Sequence, residues 1–236
     1  MEWKHQEETF LAPTMSREKM MASFMRQAFG NLKGKSVIEI GCGNGYWTRF
    51  FRGLGAKSCL GVDSLADQIR IAEQDTKDRG IKYLKADGVT LKLKEHFDVI
   101  YVNHVLDVLH DAKARALIRT CHQHLKPGGQ LVVGAFHPAV YDFGFVNVRT
   151  DGKYRYFREE SPTYAFIRRS NGDIAEQVAY HRSLGRLAEV ILSSPFLING
   201  IWEPRYSARE AGQNAYLKER AEHPTRVIFS ARKVKS

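Results

Sequence analysis

Short apolar runs alternate along this chain with stretches of helical spacing. Runs at 36–40, 58–63, 81–85, 97–102 and 130–136 are bounded by Gly, Asp, Asn and Pro, and they predict strands. Between them, 46–54, 64–79 and 111–125 repeat apolar positions at helical intervals, and Met20, Phe24 and Ala28 place a further helix over Ser16 to Leu32. Strand and helix in turn is the rhythm of a doubly wound, mostly parallel α/β sheet. Lys126-Pro127-Gly128-Gly129 should stop a helix and lead into the fifth strand. Residues 139–180 break the pattern: they are rich in Tyr, Phe and Arg and show no helical repetition. The tail resumes with a predicted helix at 183–194 and strands at 196–203 and 225–232, the last pair antiparallel if joined by a short return.

Within the first strand, Val37, Ile38 and Ile40 read as buried on both faces, and Gly41, Gly43 and Gly45 follow at alternate positions. Such a turn brings backbone close to a ligand, and the helix after it offers N–H groups to an anionic or polar group. Asp63 closes the second strand about 20 residues later, where a carboxylate can accept from both hydroxyls of a ribose. Asp87 follows the third strand, placed for the amino group of adenine, and Asn103-His104 end the fourth. All of these strand ends converge on one cleft.

Bulk properties narrow the picture. The 236 residues suit one α/β domain with an insertion, and no apolar run reaches membrane-spanning length. The start, MEWKHQEETF, has no apolar signal core, which predicts that the chain is not secreted. Cys42, Cys59 and Cys121 are odd in number and lack CxxC spacing, arguing against a disulfide framework or a zinc site and for a reducing cytoplasm. Histidines lack paired ligand spacing, so no metal is expected. The charge of +10 raises nucleic acid as a partner, but it is spread evenly: 20 Lys and Arg against 15 Asp and Glu over 1–140, and 16 against 11 beyond. No basic arm stands out, so nucleic acid and membrane are not the expected partners.

The ordered set EIGCGNG, LGVD, LKADGV, FDVIYVNHVLDVL and LKPGGQLVV, covering residues 36–136, resembles the class I S-adenosylmethionine-dependent methyltransferases. A nicotinamide enzyme fits less well, because the glycines read G-x-G-x-G and not G-x-G-x-x-G. The resemblance implies a seven-stranded, Rossmann-like sheet with an antiparallel last strand and an insertion after strand five. It implies S-adenosyl-L-methionine as cofactor and S-adenosyl-L-homocysteine as product. Glu39, Gly41, Gly43 and Gly45 would line the methionine moiety, Asp63 would hold the ribose, Ser64 and Leu65 would flank the adenine, Asp87 and Gly88 would meet its edge, and Asn103 would take the methionine amino group. On the residues alone, Glu39 also reads as a helix cap and Asp87 as an Asx turn. AFHPAV and YHRSLGRLAEVILSSPFLINGIWEP narrow the resemblance to bacterial type 11 small-molecule methyltransferases, although Ser194-Pro195 replaces the Gly expected before Phe196.

The chain then reads as one domain over 1–236: a helical lid at 1–35, a cofactor core at 36–138, a substrate-covering insertion at 139–182, and a last helix with two strands at 183–236. Methyl transfer from a sulfonium depends mainly on alignment, and a base is needed only for a protonated acceptor. His104 and His137 are the candidate bases, with a satisfied structural role as the alternative for each. Trp3 and Phe10 are candidate lid residues, while Tyr141, Tyr156, Tyr164, Arg168 and His181 are candidate acceptor contacts, or ordinary packing residues. The expected activity is methylation of N or O of a small, planar or aromatic metabolite. An RNA or protein methyltransferase and a non-catalytic S-adenosylmethionine-binding module are the alternatives.

Overall fold

A computed structural model of the chain describes residues 24–141, 148–150, 154–168, 174–212, 218 and 221–234; of 148–150, 164–168, 174–177 and 210 it describes the backbone only. Trp3 and Phe10 lie outside the described residues, as does the expected lid up to residue 23, whereas its remainder, with Met25, Ala28, Phe29 and Leu32, packs into the core of the sheet. Helix α1 is described over 24–29. It is followed by β1 (Ser36–Ile40), α2 (Tyr46–Gly53), β2 (Ser58–Asp63), α3 (Ala66–Gln74), β3 (Ile81–Lys85), β4 (Phe97–Asn103), α4 (Asp111–His124) and β5 (Leu125–Phe136). After the insertion strands β6 (Val148–Thr150), β7 (Pro162–Arg168) and β8 (Ile174–Tyr180) come α5 (Leu184–Ile191), β9 (Phe196–Trp202), α6 (Ala208–Ala211) and β10 (Arg226–Lys233).

The main sheet has seven strands in the order β3-β2-β1-β4-β5-β10-β9. The first five are parallel, and β10 runs antiparallel to both β5 and β9. Because side chains alternate along a strand, each face buries its own set. Ile38, Ile100, Val133 and Phe229 pack with Leu117 of α4 and Val190 of α5, while Val37, Tyr101, Val132 and Ile228 pack with Phe29 of α1 and Phe51 of α2. Each such aliphatic or aromatic side chain contributes roughly 1.5–3 kcal/mol by leaving water. Gln130 adds a buried polar tie on the second face, donating through Nε2 to Ala28 O at 2.6 Å and Ser230 Oγ at 2.9 Å.

Three details depart from the sequence reading. Helix α3 ends at Gln74, five residues before the expected limit, since Asp78 accepts from Gly80 N–H at 2.7 Å and turns the chain into β3. The Lys126–Gly129 stretch is no free loop: β5 begins at Leu125, and its register against β4 jumps from Phe97↔Leu125 to Val99↔Gln130, a bulge that absorbs the Pro-Gly-Gly. The insertion, read as irregular, contains a three-stranded antiparallel sheet β6-β7-β8. Its signal was Asn171-Gly172, a hairpin dipeptide between two short runs.

Arg182, just past β8, fastens the insertion to the core. Its side chain is 1% exposed; Nε meets Asp111 Oδ1 at 2.6 Å, Nη1 donates to Leu106 O at 2.8 Å, and Nη2 donates to Leu109 O. Asp111 also receives Arg186 Nη2 at 2.6 Å. Replacing Arg182 by Met removes these donors and leaves two carbonyls and half of a carboxylate buried. Chemical denaturation of Arg182→Met should show a loss of about 3 kcal/mol, with Arg186 limiting the damage at Asp111.

Candidate functional site

The strand ends of β1, β2, β4 and β5 form the floor of the cleft. All three glycines after β1 have positive φ, 77° at Gly41, 52° at Gly43 and 76° at Gly45, where L side chains are strained. Their surroundings differ. A Cβ on Gly41 would come within 2.3 Å of Val105 Cγ2, and one on Gly45 within 2.3 Å of the Tyr83 hydroxyl, whereas the nearest atom to one on Gly43 is Gln68 Oε1 at 3.7 Å. Gly41 and Gly45 thus answer to packing, and only Gly43 leaves room for a ligand.

Asp63 holds this turn. Its Oδ2 accepts from Gly43 N–H and its Oδ1 from Leu65 N–H, each at 2.9 Å, so the carboxylate is fixed while lone pairs remain for ribose hydroxyls. Ser64 and Leu65 are exposed beside it, Leu65 offering an apolar surface. Asp87 accepts from Val89 N–H at 2.8 Å, an Asx turn that leaves its other oxygen uncommitted to that bond. Gly88 packs so closely that a Cβ would lie 2.3 Å from Ile40 Cγ2.

On β4, Asn103 Oδ1 is buried with no hydrogen-bond partner. Its side chain fits only because its neighbour Gly134 is bare: a Cβ there would lie 2.3 Å from Oδ1. An orphaned acceptor at a strand end is what an ammonium-bearing ligand requires, so the residues present fit the methionine end of the implied cofactor. Glu39, on the same face, is 2% exposed and accepts from the Thr48 hydroxyl of α2. Burial pushes its carboxyl up to about 8, against the opposing pull of Thr48.

His104 has a left-handed backbone, φ 57°, which costs an L residue roughly 1–2 kcal/mol. Two contacts hold it there: its N–H donates to Gly134 O at 2.9 Å, and its Nδ1 lies 2.6 Å from Asp107 Oδ2. Asp107 is buried and also accepts from Phe136 N–H at 3.2 and 3.3 Å. Phe136 packs between the His104 ring, 4.7 Å away, and the Arg226 guanidinium, 4.4 Å from its centroid. Asp107, Arg226 and Tyr101 were not singled out from sequence, although the three-residue spacing of His104 and Asp107 was visible there.

His137 has a different setting. Its Nδ1 accepts from Ala139 N–H at 3.1 Å, and its Nε2 sits 2.7 Å from Glu203 Oε1, in ion-pair reach but poorly aligned for a hydrogen bond. Burial lowers its pKa more than Glu203 raises it. In the insertion, Tyr141, Tyr154 and Tyr156 surround the fully buried His181, with ring centroids 5.2, 4.7 and 6.0 Å from the imidazole. Burial, then the charge of Asp107, raises the Tyr141 phenol above its ordinary range. His181 donates through Nε2–H to Tyr156 O, 2.8 Å away. Tyr164 and Arg168 lie on β7, their side chains outside the described part. Among the described residues no group of His, Cys, Asp or Glu is placed to hold a metal, and no helix is long and apolar enough to cross a membrane.

A family model described as a methyltransferase domain matches residues 14–235. An uncharacterized protein of Haemophilus influenzae is 25% identical over 219 residues, 86% of this chain and 83% of that protein. A ubiquinone biosynthesis O-methyltransferase of Pseudomonas syringae is 29% identical over 122 residues, a match spanning about half of each, 49% and 51%. Among solved structures, an S-adenosylmethionine-dependent methyltransferase from Mesorhizobium loti superposes with a TM-score of 0.67 at 26% identity, covering 89% of this chain and 96% of that one. The chain belongs to the methyltransferase domain family and has the class I S-adenosylmethionine-dependent methyltransferase fold.

Proposed function

We propose that this enzyme moves the methyl group of S-adenosylmethionine to an oxygen or nitrogen of a small, planar metabolite held beneath the insertion. One observation carries the choice of acceptor chemistry: a left-handed His104 pinned to buried Asp107 next to the orphaned Asn103 Oδ1. Strain of this kind persists only where its surroundings enforce it, and it gathers at functional sites.

Bound S-adenosylmethionine supplies a methyl group on a sulfonium, open to in-line displacement. Gly43, Asp63 and Asn103 hold the ligand by backbone approach, ribose contact and amino-group contact respectively. Asp107 accepts from Nδ1–H of His104, which fixes the ring and makes Nε2 the basic nitrogen. That nitrogen takes the proton of an acceptor hydroxyl as its oxygen attacks, or takes the proton of an ammonium beforehand to free the lone pair that then attacks, and Asp107 stabilises the imidazolium. Tyr141 and the aromatic wall around His181 exclude water and suit a flat acceptor.

Two measurements test this reading. Calorimetry should show S-adenosylhomocysteine binding weakened at least about tenfold by Asp63→Ala and by Gly43→Val, since each removes a contact or fills the approach to the ligand. Equal binding by both variants would discard the site. With labelled methyl donor and a panel of small phenols and aromatic amines, His104→Gln should lower kcat about 10²–10³-fold and leave S-adenosylhomocysteine affinity within about twofold. Undiminished turnover in that variant removes His104 from the reaction.

A further inference from the structure

Glu39 is a buried acid with no ion-pair partner among the described residues. It is the penultimate residue of β1, two positions before Gly41, and Thr48 of α2 donates its hydroxyl to it. The groups that act on it come from every neighbouring element. Asp63 and Cys59 are on β2, Cys42 is in the turn, Arg49 is on α2, and Tyr101 is its register partner on β4. Burial opposes its ionisation most, Thr48 favours it, Asp63 opposes it, and Arg49 favours it only weakly. Burial also pushes the two thiols and the Tyr101 phenol upward, so none of these brings charge at neutral pH. The Tyr101 hydroxyl is buried without a partner, and Asn103 Oδ1, two residues on along the same face, is likewise unpartnered. The floor beneath the methionine end therefore has acceptors and an acid, and among the described residues the cations that reach it, Arg49 toward Glu39 and Arg226 toward Tyr101, form no ion pair with Glu39.

We infer that cofactor binding is coupled to loss of a proton from Glu39: the free protein holds this carboxyl neutral, and the ligand's ammonium supplies the missing positive charge. The inference rests on the S-adenosylmethionine reading of the cleft. The O–H bond of the carboxyl breaks, its proton passes to buffer, and the carboxylate stays opposite the ammonium. Contact is not needed, because a positive charge within about 4–6 Å is enough to favour the ionised form. In this role Glu39 is an electrostatic positioning residue.

The test is calorimetry of S-adenosylhomocysteine binding at pH 7 in phosphate and in Tris, whose ionisation enthalpies differ, so that the difference in heat counts protons. Wild-type protein should release between about 0.5 and 1 proton, and the release should fade above about pH 9, where the carboxyl is already ionised. 5′-Methylthioadenosine, which lacks the amino-acid end, should bind with no release. Glu39→Gln should bind S-adenosylhomocysteine with no release. Zero release or proton uptake by wild type, or the same release in Glu39→Gln, overturns the inference. The two-ligand comparison on wild type stands even if the variant does not fold. Failure of wild type to bind S-adenosylhomocysteine at all would instead discard the cofactor reading beneath it. A ligand-free check has a fixed sign. Native Glu39 keeps its proton up to about pH 8 and the unfolded chain loses it near 4.5, so stability falls as pH rises through that window. Glu39→Gln should flatten this slope, and an unchanged slope counts against the neutral carboxyl.

Discussion

A guanidinium cannot be buried without acceptors for its fixed fork of donors, and Arg182 meets that requirement at only one place in the fold. Its partners are Asp111 at the start of α4 and the carbonyls of Leu106 and Leu109, on the turn that follows β4. That turn carries Asp107, and Asp107 in turn orients His104. A single buried cation thus sets the end of the insertion, the loop after the fourth strand and the candidate base in one frame. Glu160 strengthens the frame by accepting from Asp111 N–H, and Glu159 does so at Ser183, the cap of α5.

Two of the acids at these strand ends, Asp63 and Glu39, have contrasting environments. Asp63 is part-buried at the rim of β2 and takes two backbone N–H groups, which fix its two oxygens. Glu39, a strand away, is enclosed by the sheet and α2 and holds its proton to higher pH. Residues of the same chemistry thereby sit in different settings, one held by backbone donors at the rim and the other enclosed by the sheet and α2.

The parallel half of the sheet was legible in sequence because each strand holds a short apolar run bounded nearby by Gly, Asp, Asn or Pro, and the same punctuation marked Gly43, Asp63, Asp87 and Asn103. Three parts were not legible, each for a physical reason. The Pro-Gly-Gly before Gln130 looks like a loop because nothing local shows that β4 will pair with residues on both sides of it. Strands β6–β8 carry Tyr, Arg and Thr where a buried strand would carry Val and Ile, so their period is masked even though Asn171-Gly172 punctuates them. Arg182 reads as a surface cation, since only the fold reveals that three acceptors surround it. His104 and His137 look equivalent in sequence, each just after a strand, yet one turns to Asp107 and the other to Glu203.

The unequal surroundings of the three glycines bear on how substitutions in the turn are to be interpreted. A side chain at position 41 collides with Val105 and one at 45 with Tyr83, both part of the protein itself. Loss of ligand binding after either change reports a displaced β4 turn or a shifted third strand, and is silent about the ligand's own footprint. At position 43 the nearest described atom stands 3.7 Å away, so there alone in the glycine turn added volume meets no described protein atom first, and a substitution reports the strain of a φ of 52° together with the proposed ligand's footprint.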